Sequence, residues 1–323
     1  MIKIHHAVGW IAQLVLASLA HGQQGPVILG AGYTAPTGIR IAPGQVVNIF
    51  ARLSKLLVGE VIAPGPNLAE ELAGVRLTIG SGPTVPIPLF KIRPLYSCLG
   101  LTVIPPFCFD VAISGQIPYT FPASSLGDPV FPTSIYIQED GSPPQWLDTR
   151  VFPHQIRLVS GACPLLYDAA FGFGCARVVY RLNGLPVQSV GSVKSGETLI
   201  LYAFGLGLTE PRVRAGEPAV AAEVERFRRP ILILEFSFLA SPRPWNGLPP
   251  DSPNVVVVEP EYMGLAPGQI GLYQINFVMP KVPPDLRRCR SSPDSNVTIS
   301  VAGFYSFDGV GFCAEPDAEG GSQ

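Results

Sequence analysis

Alternation of apolar and polar side chains is clearest in the stretch that follows the turn at Pro267-Gly268. Along Tyr273–Met279 the odd-numbered positions are aromatic or aliphatic, and Gln274 and Asn276 lie between them. A period of two places successive side chains on opposite faces of a β-strand. The pattern therefore predicts a turn followed by a strand with one buried face.

Short apolar runs of the same kind recur along the whole chain. Examples are Val46–Ala51, Gly74–Ile79 and Thr133–Gln138, each bounded by turn-forming residues. The 34 glycines and 35 prolines are scattered between these runs. Because both residues interrupt helices and initiate turns, this punctuation predicts many short strands and disfavours long helices.

Two segments of the second half match segments of the first half in the same order and at similar spacing. Ser195–Ala203 aligns without a gap on Pro43–Ala51, and Gln274–Pro280 aligns on Gln116–Pro122. This match predicts an internal duplication with about seven short strands in each copy. The expected fold class is all-β, with two tandem antiparallel β-sandwiches.

The first residues have the pattern of a secretory signal. Lys3 precedes an apolar run, Ala7–Ala20, and small residues near Ala20 offer a cleavage site. A buried N-terminal segment is the alternative interpretation. The run is too short to cross a bilayer comfortably, so we expect an exported protein with no membrane span in the mature chain.

The expected organisation follows from these boundaries. It comprises a signal peptide (1–22), a first sandwich (23–142), a connecting segment with strands (143–190), a second sandwich (191–314) and a flexible tail (315–323).

Six cysteines, an even number, fit an exported protein held by disulfides. Fifteen pairings are possible for six cysteines. We favour pairing of sequence neighbours, since each pair closes a short loop rich in turn residues. The cysteines have no Cys-x-x-Cys spacing, which argues against structural zinc. The predicted pairs are Cys98 with Cys108, Cys163 with Cys175, and Cys289 with Cys313.

A family resemblance is carried by three motifs in the second half. They are Ser195–Gly207, Ala215–Ala219 and Tyr262–Pro280. These motifs resemble an uncharacterised C-terminal domain family that occurs in exported proteins of Solibacter-type acidobacteria. The family is similar to immunoglobulin-like modules of the transcription-factor-associated type, which occur in bacterial cell-surface proteins. The resemblance implies two immunoglobulin-like sandwiches, and it implies no catalytic residue.

Composition and motifs argue against several functional classes. The net charge is −2 and only 14% of residues are charged, which disfavours a nucleic-acid partner. His154 is the one histidine certain to remain in the mature chain, and no Gly-x-Ser-x-Gly motif accompanies it. A hydrolase triad or a histidine metal site is therefore not expected, and we predict no catalytic residue, metal ligand or cofactor.

Paired carboxylates are the basis of the alternative function. Glu223 with Glu225, and Glu259 with Glu261, are spaced to share one face of a strand. Such pairs could serve a divergent carbohydrate-active enzyme. A solvated surface is the favoured interpretation, as it is for the acidic turn Glu139-Asp140-Gly141.

Tryptophans supply the candidate binding residues. Trp245 lies in a proline-rich loop beside Arg243 and Asn246, and the prolines would present its ring at low entropic cost. The alternative is that Trp245 folds back onto the sandwich end. Trp146 is also a candidate, with a plug between the domains as its expected role.

Together these patterns predict a secreted or cell-surface protein without enzymatic activity. Its function would be binding or structural, with an unknown protein or glycan of the cell envelope as partner.

Overall fold

The computed structural model describes residues 26–31, 39–120, 132–159, 178–187, 192–225, 228, 230–236, 245, 254–286 and 294–317. Within these ranges the regular structure is β-strand, apart from a short 3₁₀ helix at Pro106–Phe109. The predicted signal peptide lies outside the described residues.

Two sheets form the first sandwich. One sheet has the order β1-β3-β9-β8-β4, and the other has the order β2-β11-β10-β6-β5 with β7 on β6. The strands of the first sheet are β1 (Val27–Ala31), β3 (Val46–Arg52), β4 (Val61–Ile62), β8 (Leu89–Pro94) and β9 (Asp110–Gln116). The strands of the second sheet are β2 (Ile39–Ile41), β5 (Glu71–Leu72), β6 (Val75–Gly80), β7 (Val85–Pro86), β10 (Pro132–Glu139) and β11 (Gln145–Val151).

Two further sheets form the second sandwich. Their orders are β12-β15-β21-β20-β17-β16, with β13 on β15, and β14-β24-β22-β18-β19, with β23 on β22. The former contains β12 (Arg157–Leu158), β13 (Tyr180–Arg181), β15 (Thr198–Phe204), β16 (Thr209–Glu210), β17 (Ala222–Val224), β20 (Tyr262–Leu265) and β21 (Tyr273–Val278). The latter contains β14 (Ser192–Val193), β18 (Ile231–Glu235), β19 (Val255–Val258), β22 (Ser295–Val301), β23 (Phe304–Tyr305) and β24 (Val310–Ala314).

Both sandwiches have the immunoglobulin-like strand order. In the first, β1-β3-β9-β8 correspond to strands A, B, E and D, and β11-β10-β6 correspond to G, F and C. In the second, β15-β21-β20 and β24-β22-β18 take the same places. A short early strand pairs in parallel with the last strand in each copy, as β2 with β11 and β14 with β24. The predicted fold class of two tandem immunoglobulin-like sandwiches is confirmed.

Each sandwich has its own core, built from the inward positions of its strands. Along β3 the buried residues alternate with half-buried ones, and along β21 they do so in the predicted period of two. Leu77, Ile113 and Ile137 are fully buried in the first core, and Phe277 and Phe312 are buried in the second. Burying such side chains contributes about 1.5 to 3 kcal/mol each, which is the main stabilisation of both sandwiches.

The strand register corrects the alignment of the two copies. Val46 pairs with Gln116, whereas the equivalent Thr198 pairs with Val278. Backbone bonds from Gly44 to Ile117 and from Gly196 to Met279 fix the same correspondence. Gln116 is thus equivalent to Val278, and the expected match with Gln274 is displaced by four residues. A displacement by an even number keeps every side chain on its own face, so the apolar pattern alone did not reveal the error.

Hydrogen bonds of the two sandwiches extend into the segments that the sequence predicts to be a connecting segment and a flexible tail. Strand β11 begins inside the predicted connecting segment and pairs with both β10 and β2. At the other end, the amide of Glu315 bonds to the carbonyl of Val193 at 2.8 Å, and Asp317 accepts from Ser195 at 2.6 Å. Both segments are thereby hydrogen-bonded to a sandwich.

A buried amide side chain joins the two sandwiches. Gln116 is 1% exposed and its Oε1 accepts the backbone N–H of Gly216, from the second sandwich, at 2.7 Å. Its Nε2 donates to the carbonyl of Gly44, from the first sandwich, at 3.2 Å. A second bond connects the two sandwiches, from the N–H of Leu68 to the carbonyl of Gly216, at 2.7 Å. These bonds hold one end of the first sandwich against the second, and we call this interface the joint.

Two buried tyrosines extend the hydrogen bonds of the joint. Gln116 Nε2 also lies 3.3 Å from the hydroxyl of Tyr119, which is a hydrogen-bonding partner of Tyr273. Tyr273 in turn donates to the carbonyl of Gly207. Burial raises the pKa of Tyr119 to about 12, and it raises the pKa of Tyr273 well above its usual value. Gly44 has a φ of +74°, and a Cβ there would overlap the Tyr119 ring. Both hydroxyls therefore stay protonated inside a closely packed joint.

The joint yields a stability prediction for Gln116→Ala. The substitution leaves the buried N–H of Gly216 and the carbonyl of Gly44 without their partner and opens a cavity. We expect a loss of about 2 to 4 kcal/mol in the free energy of unfolding, measured by denaturant titration. The matched control is Gln138→Ala, because the side chain of half-buried Gln138 makes one bond among the described residues, to the carbonyl of Ser142. A loss below about 1 kcal/mol is expected for the control. Equal losses for the two variants would contradict the structural role of Gln116.

Candidate functional site

Three loops meet at the end of the first sandwich that lies opposite the joint. They are the segment after β3 (53–60), the loop between β8 and β9 (95–109) and the turn between β10 and β11 (140–144). The N–H of Leu53 bonds to the carbonyl of Phe109 at 3.0 Å, which places the first two side by side. We call this region the free end, and we call residues 95–109 the apolar loop.

A disulfide closes the apolar loop. Cys98 and Cys108 are bonded, with their Cα atoms 5.8 Å apart, as the sequence predicts. Both cysteines are buried beneath the loop. The amide of Leu95 bonds to the carbonyl of Asp110 at 2.8 Å, and the amide of Cys108 bonds to the carbonyl of Pro105 at 3.0 Å. The loop thus starts and ends at fixed points on the sheet.

Between these fixed points the loop exposes large apolar side chains. Leu99 is 69% exposed and Val103 is 78% exposed. The rings of Tyr96 and Phe107 contact edge to face, with centroids 5.1 Å apart. Exposed apolar side chains gathered on one loop are a common feature of contact sites between proteins. The exposed members of the group are Tyr96, Leu99, Leu101, Val103, Ile104 and Phe107.

Carboxylates hold the neighbouring loops in place. Glu139 is 3% exposed and accepts the N–H of Ser54 at 2.7 Å and the N–H of Lys55 at 3.2 Å. Asp110 makes an ion pair with Arg52 at 2.7 Å, and Lys55 makes another with Asp140. The solvated surface expected for Glu139 is wrong, because its side chain is buried and its oxygens accept backbone N–H groups. Its role is to fix the free end.

Comparison with known proteins adds little to this picture. No protein-family model matches the chain. No curated protein matches it. Similar solved structures include the C-terminal domain of the Streptococcus agalactiae AgI/II polypeptide BspA, 10% identical over 89% of this chain and 99% of that chain, with a TM-score of 0.21. DIP-gamma IG1+IG2 is 9% identical over 91% of this chain and 100% of that chain, with a TM-score of 0.18. Likeness at this level carries no functional argument, and the fold class rests on strand order and register.

The other two predicted disulfides include cysteines outside the described residues. Cys163, Cys175 and Cys289 lie outside the described residues. Cys313 is disulfide-bonded and buried in β24, with a partner that lies beyond the described ranges. Its predicted pairing with Cys289 stays a prediction.

The two candidate tryptophans lie in different environments. Trp146 is 63% exposed near the start of β11, so the expected plug between the domains is wrong. The joint is built instead at the opposite end of the sandwich, by Gln116 and Tyr119. Trp245 is half-buried, and its neighbours Arg243 and Asn246 lie outside the described residues.

Burial distinguishes Glu225 from the other three glutamates of the predicted pairs. Glu223, Glu259 and Glu261 line an open cleft of about 540 Å³ in the second sandwich, together with Tyr262. Glu225 is 6% exposed and bonds to Arg212 and Arg228, each at 2.6 Å. Glu225 is therefore a structural ion-pair partner, whereas the other three face the cleft.

The described residues contain no helix long and apolar enough to cross a membrane. They also contain no group of three or more histidine, cysteine, aspartate or glutamate side chains placed to hold a metal ion.

His154 lies in the buried link between the sandwiches. It is 1% exposed, its Nδ1 is 2.6 Å from the carbonyl of Leu206, and its ring contacts Phe304 edge to face. Since a carbonyl can only accept, Nδ1 carries a proton. Among the described residues Nε2 has no partner. Burial is the main cause that lowers the pKa of His154 from 6.5 to about 4, with Arg228 adding to the shift and Glu225 opposing it.

The apolar loop is the site that sequence reasoning missed as a functional surface. Its signal was the apolar run between Cys98 and Cys108, which contains no charged residue. The apolar pattern of this run does not distinguish a buried segment from an exposed one.

The buried histidine predicts a loss of stability on acidification. The pKa of His154 is lower in the folded chain than in the unfolded chain, so the unfolded state binds more protons between pH 6.5 and about pH 4. The contribution is complete above pH 6.5 and is lost as the pH falls towards 4. Between pH 7 and pH 4.5 the histidine should account for about 2 kcal/mol of the decrease in unfolding free energy.

The measurement compares denaturant unfolding of the wild type and His154→Asn at both pH values. Other groups titrate equally in the two proteins, so the difference between their pH slopes isolates the histidine. Parallel slopes would show that His154 is not held neutral by burial.

Proposed function

We propose that this chain is an exported, non-catalytic binding module of the cell surface or extracellular space, and that the apolar loop is its contact surface. The exposure of six large apolar side chains on one disulfide-closed loop is the observation that carries the proposal. Leaving such side chains in water is unfavourable, and contact with a partner removes that cost. The resemblance of the second half to modules of exported acidobacterial proteins supports the same function.

The chemistry of the apolar loop narrows the class of partner. No charged residue lies between Arg93 and Asp110, and Ser97 and Thr102 are its only hydroxyl-bearing side chains besides Tyr96. Glycan recognition depends on several polar groups that bond to sugar hydroxyls. The apolar loop instead fits a partner with an apolar surface.

The position of the loop also supports a docking role. The joint occupies the opposite end of the first sandwich, so a partner can reach the free end without displacing the second sandwich. The disulfide holds the loop backbone before any contact is made, which lowers the ordering cost of binding.

Retention by isolated cell envelopes tests the proposal. The protein beginning at residue 23, which keeps every residue that the structure describes, is mixed with envelopes of the producing organism and sedimented. Leu99→Ser with Val103→Ser should lower retention at least about tenfold, because each side chain gives up roughly 1 kcal/mol or more of burial.

The control is Leu182→Ser with Leu185→Ser, which removes similarly exposed side chains, 67% and 60%, from the second sandwich. Surface substitutions of this kind change stability by about 0.5 kcal/mol or less, so both variants should remain folded. Undiminished retention of the loop variant, or equal losses in the two variants, would count against the apolar loop.

The cleft lined by Glu223, Glu259 and Glu261 favours a second candidate function, a divergent carbohydrate-active enzyme. Two carboxyl groups flanking a sugar bond are the usual requirement of glycoside hydrolysis. In this cleft Glu259 and Glu261 are exposed and Glu223 is half-buried. Buried Glu225 is not part of the lining and is paired with two arginines. Among the described residues that line the cleft, no carboxyl group has the deep burial that raises the pKa of a general acid.

A panel of polysaccharides and oligosaccharides separates the two candidates. We expect no hydrolysis by the wild type, as measured by release of reducing ends. Hydrolysis that disappears in Glu259→Gln or Glu261→Gln, while Glu217→Gln retains it, would establish the enzyme in place of the binding module.

A further inference from the structure

We infer that the outer side of β19 binds an extended, basic peptide segment of a partner protein, which adds a strand to the second sandwich. We call this outer side of Val255–Val258 the valine edge. It is separate from the apolar loop, so the inference goes beyond the proposed function. It follows from the backbone groups that the valine edge presents, from its side chains and from the acidic cleft at its end.

Strand β19 lies at the end of its sheet. In the order β14-β24-β22-β18-β19 it pairs with β18 on one side, and no described strand pairs with it on the other. The other edge strands described in the second sandwich, β12, β13, β14, β16 and β23, have two residues each, whereas β19 has four. Natural edge strands are commonly shortened or charged, because an open edge is a template for another chain. The valine edge is longer and contains no charged residue.

The register shows which backbone groups β19 directs outward. The N–H of Phe236 bonds to the carbonyl of Asn254 at 2.7 Å, in the register that joins β18 to β19. Bonding direction alternates along an antiparallel strand. Val256 therefore bonds to β18 as Asn254 does, whereas Val255 and Val257 direct their N–H and C=O groups away from it. No other strand in the described ranges pairs with these four groups, so an added strand can bond to them.

The side chains of β19 are apolar on both faces. Val256 and Val258 pack against the core of the second sandwich. On the opposite face Val255 is buried and Val257 is 41% exposed. A strand added at the valine edge would place one side chain directly beside Val257. Because cross-strand neighbours pack best when both are β-branched or aromatic, we expect such a residue at that position of the partner.

The acidic cleft begins where β19 ends. Glu259 directly follows β19 and lines the cleft together with Ile231 of β18. Glu223 and Glu261 also line it, and none of its described lining residues is basic. Glu259 and Glu261 are exposed and have no ion-pair partner among the described residues. A segment that extends along the valine edge therefore meets several carboxylates at one of its ends, where lysine or arginine would be attracted.

This charge favours a basic partner over a second copy of the chain. Two copies joined edge to edge would bring together the same carboxylates, and the stretch Asn254–Met263 contains no basic residue. A basic segment supplies the complementary charge, which speeds encounter and selects among partners. The expected partner sequence alternates β-branched residues along the strand and has lysine or arginine at the end that reaches the cleft.

The probe is the synthetic peptide acetyl-Lys-Lys-Thr-Val-Thr-Val-Thr-Lys-Lys-amide, added to the protein beginning at residue 23. Lysine at both ends makes the test independent of strand direction. We expect binding in a calorimetric titration at low salt. A matched peptide with glutamate in place of lysine should bind at least about tenfold more weakly. N-methylation of the central amides should abolish binding, because it removes the donors that pair with the valine edge.

Amide hydrogen exchange locates the bound peptide on the protein. The N–H groups of Val255 and Val257 should exchange at least about fivefold more slowly when the peptide is present, because they gain acceptors. The N–H of Val256 already bonds to β18, so its exchange should change by less than about twofold.

Two variants separate strand addition from a loss of folding. Val257→Pro removes one outward N–H at an edge position, where proline is tolerated, and should lower affinity at least about tenfold. Glu259→Lys with Glu261→Lys should reverse the preference, so that the glutamate peptide binds more tightly than the lysine peptide. An unfolded variant would not gain such a preference. The control, Glu70→Lys with Glu217→Lys, makes the same change in net charge at exposed positions outside the cleft and should still prefer lysine.

Each outcome bears on the inference. Preference for the lysine peptide, with slower exchange at Val255 and Val257, supports it. Equal binding of the N-methylated peptide would overturn the added strand, and equal binding of the glutamate peptide would overturn the basic partner. A dimer in sedimentation velocity that Val257→Pro abolishes, without peptide binding, would overturn it in favour of a second copy. Absence of any binding overturns the inference and leaves the proposed role of the apolar loop unaffected.

Discussion

The arrangement of this protein depends on one buried amide group. Gln116 has no access to water, so its oxygen and its nitrogen must both find partners within the protein, and each partner lies on a different sandwich. Because an unsatisfied buried polar group costs about 1 to 3 kcal/mol, the sandwiches cannot rotate against each other with Gln116 still buried without a comparable loss. Tyr119 and Tyr273 extend the same constraint through their hydroxyl groups.

Equivalent ends of the two sandwiches have different roles. In the second sandwich the loop between β20 and β21 is short, and a Cβ at Gly271 would lie 2.8 Å from a methyl group of Val46. Close approach of the first sandwich requires glycine there. In the first sandwich the equivalent loop is the apolar loop, which is longer, closed by a disulfide and turned away from the joint. The duplicated fold therefore has one of these ends engaged and the other free, and the candidate function belongs to the free one.

Some elements could be predicted from local chemistry because a single period decides them. The strand at Tyr273–Val278 shows the expected alternation, and Cys98 and Cys108 pair as their short separation indicates. The alignment of Gln116 with Gln274 failed for a physical reason. Apolar alternation specifies which face a residue occupies, whereas backbone hydrogen bonds decide the register, and a shift of four residues preserves the faces. Trp146 was misplaced because an aromatic residue near a domain boundary fits a plug and an exposed surface equally well.

The sequence alone determined the class of the fold, since turn residues and a period of two leave few alternatives to stacked antiparallel sheets. It also determined that the loop between Cys98 and Cys108 is apolar and without charge. Only the tertiary structure decided that this loop is exposed, that Gln116 is buried, and that Glu139 binds backbone amides. The first two outcomes depend on which ends of the sandwiches meet, and the third depends on contacts within the first sandwich. All three are set by residues far apart in the chain, to which local pattern is insensitive.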